Sequence, residues 1–350
     1  MSEPRAPATL PDRRELLAAF ARFQSPLLGR SLWQLASTFG PYLAVTAAMY
    51  GVALLSTWAA LLLALPAGGL VVRIFIIQHD CGHGAFFRSR AANDWLGRAC
   101  SVVTMTPYGN WRRQHAGHHA VWNNLDRRSG GADIYSTCLT VAEYARLPAL
   151  RQRLYRLVRH PLIAHLLLPP LVFMVLYRLP FDTPPTWRRE RASVLLTNAA
   201  LLTLFAGLVW LAGLGPMLIV QVSTMTVASV IGVWVFSVQH RFEDVLWSHQ
   251  ESWNAATAAL LGSSYLQLPG VLRWFTGNIG FHHIHHLVPR VPNYRLADCH
   301  RAFAAHGGGG VTLTLRQALA SPAYVLWDEA KGRMVRFADL MPARSMPVTT

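Results

Sequence analysis

Two long stretches of this sequence contain no charged side chain, at residues 31–72 and 192–239. As α-helix, at ~1.5 Å per residue, each would be ~60–70 Å long, about twice the ~30 Å hydrocarbon core of a bilayer. Each stretch therefore predicts a hairpin of two membrane-spanning helices, and the second contains the turn sequence Gly-Leu-Gly-Pro at 213–216. We expect an all-α membrane protein with four spans, at about residues 33–55, 58–78, 193–213 and 216–238.

The cationic side chains indicate how the hairpins are oriented. Of the 32 Lys and Arg residues, only Arg73 lies within a predicted span, and neither hairpin turn carries one. By the positive-inside rule, the N-terminus, the middle of the chain and the C-terminal third are cytoplasmic. Arg73 precedes His79 by six residues, so we expect its side chain to extend to the cytoplasmic interface. The net charge of +15 then reflects topology and anionic lipid, since no nucleic-acid-binding signature accompanies it.

The segments outside the spans divide the chain into three regions. We expect an interfacial N-terminal segment at 1–30, a membrane domain at 31–306 with a cytoplasmic helical cap, and a C-terminal tail at 307–350. Residues 160–181 are apolar but contain four prolines. A full span there would put the histidines described below on opposite faces of the membrane. We therefore predict a surface or partly embedded helix at 160–181.

Shorter patterns predict local elements within these regions. In the N-terminal segment, Asp12 and Glu15 resemble a helix-start capping pair, and Leu16, Phe20 and Phe23 share an apolar face. The patterns further predict helices at 93–106 and 247–274 and a small β-hairpin from 324–327 and 334–337. The four cysteines form no short paired motif, so disulfides are not expected.

Nine of the 15 histidines form three clusters and one separate position near the ends of the predicted spans. Residues four apart share a face of a helix, so the two histidines of HDCGH can bind one metal ion, with Cys81 facing elsewhere. Adjacent histidines, as in HAGHH and HHIHH, diverge by ~100° and can contact two metal ions. The predicted ligands are His79, His83, His115, His118, His119, His240, His282, His285 and His286.

The number of ligands restricts the kind of metal. Tetrahedral zinc would leave five histidines unexplained, and bis-histidine haem favours isolated, facing histidines. Two irons fit best, although the spacing also permits two zinc ions. The other histidines are expected to be ordinary core or surface residues: His160, His165, His249, His300 and His306. Imidazole ligands need acceptors that orient them, and the nearby candidates are Asp80, Asn123, Glu243, Asp244 and Asn278.

HDCGH, HAGHH and HHIHH, in this order and between two membrane hairpins, resemble the three histidine boxes of the integral-membrane fatty acid desaturases and their hydroxylase relatives. The resemblance covers roughly residues 30 to 300, and His240 in WVFSVQHRFED matches the extra histidine that completes the family's diiron ligands. The spacing of the first box resembles the acyl-lipid type, and TGNIGFHHIHHLVPRVPNYRL with SSYLQLP is similar to the delta-12, or omega-6, branch. His283 is extra within the third box and is not expected to be a ligand.

The resemblance implies that two irons activate O2 and remove two hydrogens from adjacent methylenes of a lipid-linked acyl chain, with no catalytic residue beyond the metal ligands. The electrons would come from a ferredoxin or a small haem protein, because no flavin, haem or iron–sulfur motif is present. It also implies a location in a bacterial inner membrane with the site on the cytoplasmic side. Aromatic side chains that could line an acyl tunnel, or simply anchor helices at the interface, are Trp111, Trp122, Trp253 and Trp274.

Two alternatives remain open from the sequence. A hydroxylase would use the same ligands and differ only in how the substrate carbon is held. A metal transporter or storage protein would require polar or acidic side chains within the spans, which both uncharged stretches argue against.

Overall fold

The computed structural model describes residues 20–128 and 135–340, which are mostly helical. In the described residues the helices are α1 Leu28–Ala53, α2 Thr57–Gly82, α3 Arg90–Thr104, α4 Tyr108–Val121, α5 Val141–Ala145, α6 Ala149–Val158, α7 Leu168–Met174, α8 Arg188–Ala212, α9 Leu214–Val238, α10 Ala255–Leu261, α11 Gly270–Phe275, α12 His282–Leu287, α13 Leu296–Ala305 and α14 Leu315–Ala320. The strands are β1 Leu139–Thr140, β2 Ser264–Leu266, β3 Val311–Leu313, β4 Leu326–Asp328 and β5 Arg333–Val335.

Four long helices occupy the positions of the four predicted spans. Three of them, α2, α8 and α9, are long and apolar enough to cross a membrane. Helix α1 is also 26 residues long, but it contains Pro41 and buries polar residues such as Gln34 and Thr38, and it is not apolar enough to count among them. By length and composition the described residues therefore contain three candidate membrane helices, or up to four if the bent helix pair at 149–178 forms a single span.

The two hairpins bring their second helices together. Ser56 begins α2 by accepting a hydrogen bond from the Ala59 amide, and Gly213, at φ +84°, separates α8 from α9. Helix α2 packs closely on α9, since a Cβ placed on Gly68 would lie 2.5 Å from Val227 Cγ1. Both helices run in the same direction, so their carboxyl ends lie at the same end of the bundle.

The expectation for Arg73 is wrong. Its side chain does not extend to solvent: it is 8% exposed, and its Nε donates to Thr38 Oγ1 at 3.0 Å. A terminal nitrogen donates to the carbonyl of Trp274, and the guanidinium lies 4.2 Å from the centre of that indole ring. Residues around α11 cover this part of α2, so the cation is buried and satisfied by hydrogen bonds and the aromatic face.

The helix predicted at 247–274 is also wrong in extent. Only α10 and α11 are helical within it, and strand β2 lies between them. Asn254 caps the start of α10, and β2 pairs in parallel with β3, beginning with Ser264 opposite Val311. Pairing with a distant strand thus overrides the local helical pattern. The structure confirms the helix near 93–106 as α3. It also confirms the small hairpin as β4–β5, and β1 pairs with β4 to make a three-stranded sheet.

Other local expectations have mixed outcomes. All four cysteines are free and buried, as predicted. The capping pair Asp12 and Glu15, together with Leu16, lies outside the described residues. Phe20 and Phe23 are buried, and the Phe20 ring lies 5.9 Å from Phe303, so they pack against α13 instead of lipid.

The segment predicted as a surface or partly embedded helix is sharply bent. Helix α6 and the helical residues Ile163–Arg178 are long and apolar enough to cross a membrane only when taken together, and a bend of 54° separates them. Pro161 lies at this bend and lacks the amide hydrogen that a continuous helix would need. The pair is either a broken span or a re-entrant segment, so the partly embedded location stays a prediction.

His249 links three loops outside the long helices, and its contacts predict a contribution to stability that depends on pH. Its Nδ1 lies 2.8 Å from Asp126 Oδ1 and its Nε2 lies 3.0 Å from Glu329 Oε1. Hydrogen bonds to Glu329 and then to Asp126 raise the pKa of His249. A raised pKa in the folded state adds stability below the ordinary histidine pKa, and this stability is lost as pH rises through the folded-state pKa.

We therefore expect His249→Gln to lower the melting temperature more at acidic than at alkaline pH. Because the three side chains are largely exposed, the difference will be small. The check is a pair of thermal melts of the purified wild type and variant at each pH. A difference that grows toward alkaline pH would contradict the assignment.

Candidate metal centre

The nine predicted histidines converge from four places in the fold. His79 lies in the last turn of α2 and His83 directly follows that helix. Helix α4 carries the second cluster, α12 carries the third, and His240 follows the end of α9. The site therefore lies at the carboxyl ends of α2 and α9.

Tyr108 holds α4 in place beside the end of α2. Its hydroxyl donates to the Cys81 carbonyl at 2.9 Å and also lies 3.1 Å from Asp94 Oδ1. Its ring lies against Gly97 of α3, where an added Cβ would be 2.4 Å from the ring, so only glycine leaves room. This packing sets the position of α4, and with it the three histidines that α4 carries.

The histidines form two groups whose potential ligand atoms lie within 4.8 Å of one another. The larger group contains five histidines and the smaller contains three. His282 belongs to neither group, but its Nε2 lies 2.8 Å from His240 Nε2 of the smaller group. Adjacent histidines separate as the helical angle predicts: His119 and His285 belong to the larger group, while their neighbours belong to the smaller. The larger group is His79, His83, His115, His119 and His285, and the smaller is His118, His240 and His286.

In the larger group, ring nitrogens lie so close together that hydrogen bonds between the rings cannot satisfy all of them. The Nε2 atom of His285 lies 3.1 Å from that of His79 and 3.0 Å from that of His119. His115 Nε2 similarly lies 3.1 Å from His119 and 3.0 Å from His83. A neutral ring nitrogen carries either one hydrogen or one in-plane lone pair, so one atom cannot make two good hydrogen bonds here. A cation that accepts a lone pair from each imidazole would satisfy all five.

The separations also bear on coordination number. Ligand nitrogens ~2.1 Å from a metal lie ~3.0 Å apart at right angles and ~3.4 Å apart at a tetrahedral angle. The observed contacts of 3.0–3.1 Å match the first value. In the smaller group, His286 Nε2 is buried and has no hydrogen-bond partner among the described residues, which suits a ligand nitrogen. The separations in the larger group therefore fit a cation with five or six ligands better than closed tetrahedral zinc.

Electrostatics keeps these imidazoles ready to bind a metal. Burial, and after it the positive charge that neighbouring histidines would carry, lowers their pKa well below the usual histidine value. Neutral histidine offers a lone pair to a metal, whereas the imidazolium does not. The residues with this pKa shift are His83, His115, His119, His240, His282, His285 and His286.

Asp80 is the one predicted orienting residue that the described contacts connect to a cluster histidine. Its Oδ1 lies 3.3 Å from His79 Nδ1. Its Oδ2 accepts from the backbone amide of Asn293 at 2.7 Å and from the Asn293 side chain at 2.8 Å. Asn293 also donates to Gln34 of α1 at 3.2 Å. The carboxylate is thus held rigidly, and it directs His79 Nε2 toward the larger group.

The other orienting candidates have different contacts. Asn123 donates to the Leu246 carbonyl, and Asn278 donates to the Asn293 carbonyl at 3.2 Å. Glu243 accepts from Tyr324 at 2.7 Å and from Arg333 at 2.9 Å. Asp244 is exposed. These contacts hold the cap together and give no support to an orienting role.

Two of the four predicted tunnel tryptophans contact the histidines directly. Trp111 stacks on His115 with ring centres 4.6 Å apart, and Trp122 lies 3.9 Å from His240. Trp253 donates to the Trp122 carbonyl at 2.7 Å, so it supports this wall from behind. Trp274 instead binds Arg73, which makes it a partner of the buried cation.

Sequence reasoning missed two phenylalanines beside the site. Phe75 lies 5.3 Å from Trp111, and Phe236 lies 5.0 Å from His240. Each is four residues before a cluster histidine, on the same face of a helix that leads to the site. The i, i+4 spacing was the signal that could have identified them.

His283 points away from both groups. Its Nε2 lies 3.1 Å from His300 Nδ1, and its ring lies 6.3 Å from Phe303 of α13. The five histidines expected to be ordinary residues are also absent from the two groups found in the described residues. His249 instead bridges Asp126 and Glu329.

Comparison with known proteins agrees with this geometry. The sequence profile of the family described as "Fatty acid desaturase" matches residues 56–312. The chain is 39% identical to the "Fatty acid desaturase" of Bacillus subtilis over 93% of its own length and 91% of that protein's. It is 25% identical to the "sn-1 oleoyl-lipid 12-desaturase" of Picosynechococcus, over 69% of this chain and 68% of the relative.

A further similar protein is the "sn-1 acyl-lipid omega-3 desaturase (ferredoxin)" of Synechocystis, 25% identical over 65% of this chain and 63% of the relative. The family match covers the three histidine clusters and His240, so the resemblance seen in the histidine boxes is confirmed. Desaturation is an oxidation, which makes the protein an oxidoreductase. The chain belongs to the fatty acid desaturase family.

Proposed function

We propose that this protein introduces a double bond into the acyl chain of a membrane lipid, with the delta-12 or omega-6 selectivity suggested by its third box. The observation that carries the proposal is the convergence of nine histidines at the ends of α2 and α9: eight form the two groups, and His282 lies beside the smaller one. The relatives include an oleoyl-lipid 12-desaturase, which supports both the lipid substrate and the position.

The two groups are proposed to hold two iron ions. Bound iron would supply the activation of O2 that abstracts hydrogen from an unactivated methylene. The chain's own residues supply nine imidazoles, the carboxylate of Asp80 that orients His79, and the aromatic walls formed by Trp111 and Trp122. These rings offer an apolar surface to the acyl chain.

The substrate is proposed to approach from the membrane end of the site. Phe75 and Phe236 lie near the carboxyl ends of α2 and α9, about one helical turn before His79 and His240. An acyl chain that follows either helix would meet these rings before the metal ligands. Such a path uses no charged side chain.

The electron donor is proposed to be a ferredoxin or a small haem protein that docks on the cytoplasmic face. One relative is named as ferredoxin-dependent. Ferredoxins are typically acidic, and the 32 Lys and Arg residues of this chain against 17 Asp and Glu favour such a partner. We propose, with this donor, that the histidines lie on the cytoplasmic side of a bacterial inner membrane.

Expression in a host whose lipids are rich in monounsaturated chains tests the proposal. We expect a new diene in the fatty acids of that host, detected by gas chromatography with mass spectrometry. Derivatisation of the diene then gives the position of the new double bond. The matched control is His285→Ala, which keeps the membrane helices and should give no diene. A hydroxy acid would instead support the hydroxylase alternative, and an unchanged profile with donors supplied would contradict both for that substrate.

A further inference from the structure

Helix α6 carries an apolar face that no other part of the described protein covers. Leu150, Leu154 and Leu157 are 68%, 50% and 54% exposed. Their spacing of four and three residues puts them on one face of the helix. The opposite face packs on the protein, where Tyr155 donates to the Val325 carbonyl at 2.9 Å and Arg159 is buried. The leucine face therefore points away from the fold.

This face is bordered by cationic side chains of the same stretch of chain. Five arginines occur between residues 146 and 159, whereas residues 144–181 contain neither Asp nor Glu. At 100° per residue, Arg153, Arg156 and His160 lie along one border of the leucine face and Arg151 lies along the other. An apolar face between cationic borders is the pattern of a helix that lies in the headgroup layer of an anionic membrane.

An open groove of about 520 Å³ lies along one of these borders, at the bend after α6. Its lining residues are Arg153, Arg156, Leu157, His160 and Ile163. Arg156 Nε donates to the Tyr144 hydroxyl at 2.6 Å, and its guanidinium lies over the Phe337 ring. This arrangement fixes the side chain in place. Among the described residues, neither Arg153 nor Arg156 forms an ion pair with an acidic side chain.

We propose that this groove binds the phosphate of an anionic membrane phospholipid, whose acyl chains lie against the exposed leucines of α6 and of the segment after the bend. The guanidinium groups of Arg153 and Arg156 match a phosphate diester in charge and geometry. The exposed side chains Leu162 and Leu166 continue the apolar surface beyond the groove. The site is separate from the metal centre and goes beyond the proposed desaturation.

Binding of phosphatidylglycerol to the purified full-length protein, titrated in detergent and followed by native mass spectrometry, tests this site. We expect the wild type to prefer phosphatidylglycerol over phosphatidylcholine. The double variant Arg153→Gln/Arg156→Gln should bind phosphatidylglycerol roughly 30-fold more weakly, the effect of removing two cations from contact with an anionic headgroup. Arg153→Lys/Arg156→Lys should retain part of the affinity, because the charges remain while the planar fork is lost.

The matched control is Arg127→Gln/Arg316→Gln, which removes the same charge from exposed positions outside the groove. Its affinity should stay within about two-fold of the wild type. Melting temperature and iron content report separately on folding and on the metal centre. Equal loss of binding in both glutamine variants would overturn the proposal. So would equally tight binding of soluble glycerophosphoglycerol, because a lipid site requires the leucine face.

Discussion

Replacing His285 with alanine is expected to abolish iron binding at the larger group and to lower desaturation by ~100-fold or more, since even residues that only orient a ligand contribute 10–100-fold. His285 Nε2 lies 3.1 Å from His79 Nε2 and 3.0 Å from His119 Nε2, so it links ligands from α2 and α4. Removing this ring leaves the remaining imidazoles with an incomplete coordination sphere. Iron per chain, measured on purified protein, and diene formation in the host are the two measurements.

The matched control is His283→Ala in the same box. His283 contacts His300 and lies outside both groups, so its loss should leave iron content and most activity in place. Some loss of thermal stability is expected, because the ring is 1% exposed and its removal leaves a cavity. Equal loss of iron in the two variants would show that the ligands of the third box are wrongly assigned.

Asp80→Asn is expected to lower metal affinity or activity by ~10–100-fold while leaving the fold intact. The amide has the size of the carboxylate but carries no charge, so it supports the His79 imidazole less strongly. The Asp80 carboxylate accepts hydrogen bonds from His79 on one oxygen and from Asn293 on the other. In the Asn variant an NH2 group replaces one of these oxygens, so one of the two partners would face a donor where it now has an acceptor. Iron affinity in a chelator competition and the rate of diene formation measure the effect.

Glu243→Gln is the control for this substitution. Sequence reasoning treated Glu243 and Asp80 alike, but Glu243 binds Tyr324 and Arg333 in the cap. Its iron affinity should therefore match the wild type, with only a modest change in melting temperature. If Glu243→Gln weakened iron binding as much as Asp80→Asn, the orienting role assigned to Asp80 would lose its basis.

Features that depend on neighbouring residues could be predicted from the sequence. The uncharged stretches located the four long helices, because a bilayer permits few charges and demands a fixed length. The division of adjacent histidines between two groups followed from the 100° step of the helix. The β4–β5 hairpin was visible in its alternating pattern.

Features that depend on distant contacts could not be predicted. Arg73 was expected at the interface, yet Thr38 and Trp274 satisfy it inside the fold, and the partner Trp274 is 201 residues away. The 247–274 segment was expected to be helical, yet β2 pairs with β3 there. In both cases a partner brought in by the tertiary structure outweighed a local preference.

The sequence alone determined which histidines are available and that they lie near the ends of the membrane helices, because spacing and the absence of charge are local properties. Only the tertiary structure decided which of them share a group and which carboxylate supports them. His79 and His285 are 206 residues apart in the chain, and their ring nitrogens meet at 3.1 Å. Asp80 and Asn293 are 213 residues apart and meet at 2.7 Å. Such contacts arise from the packing of α2, α4 and the loops around α12, and no local pattern encodes them.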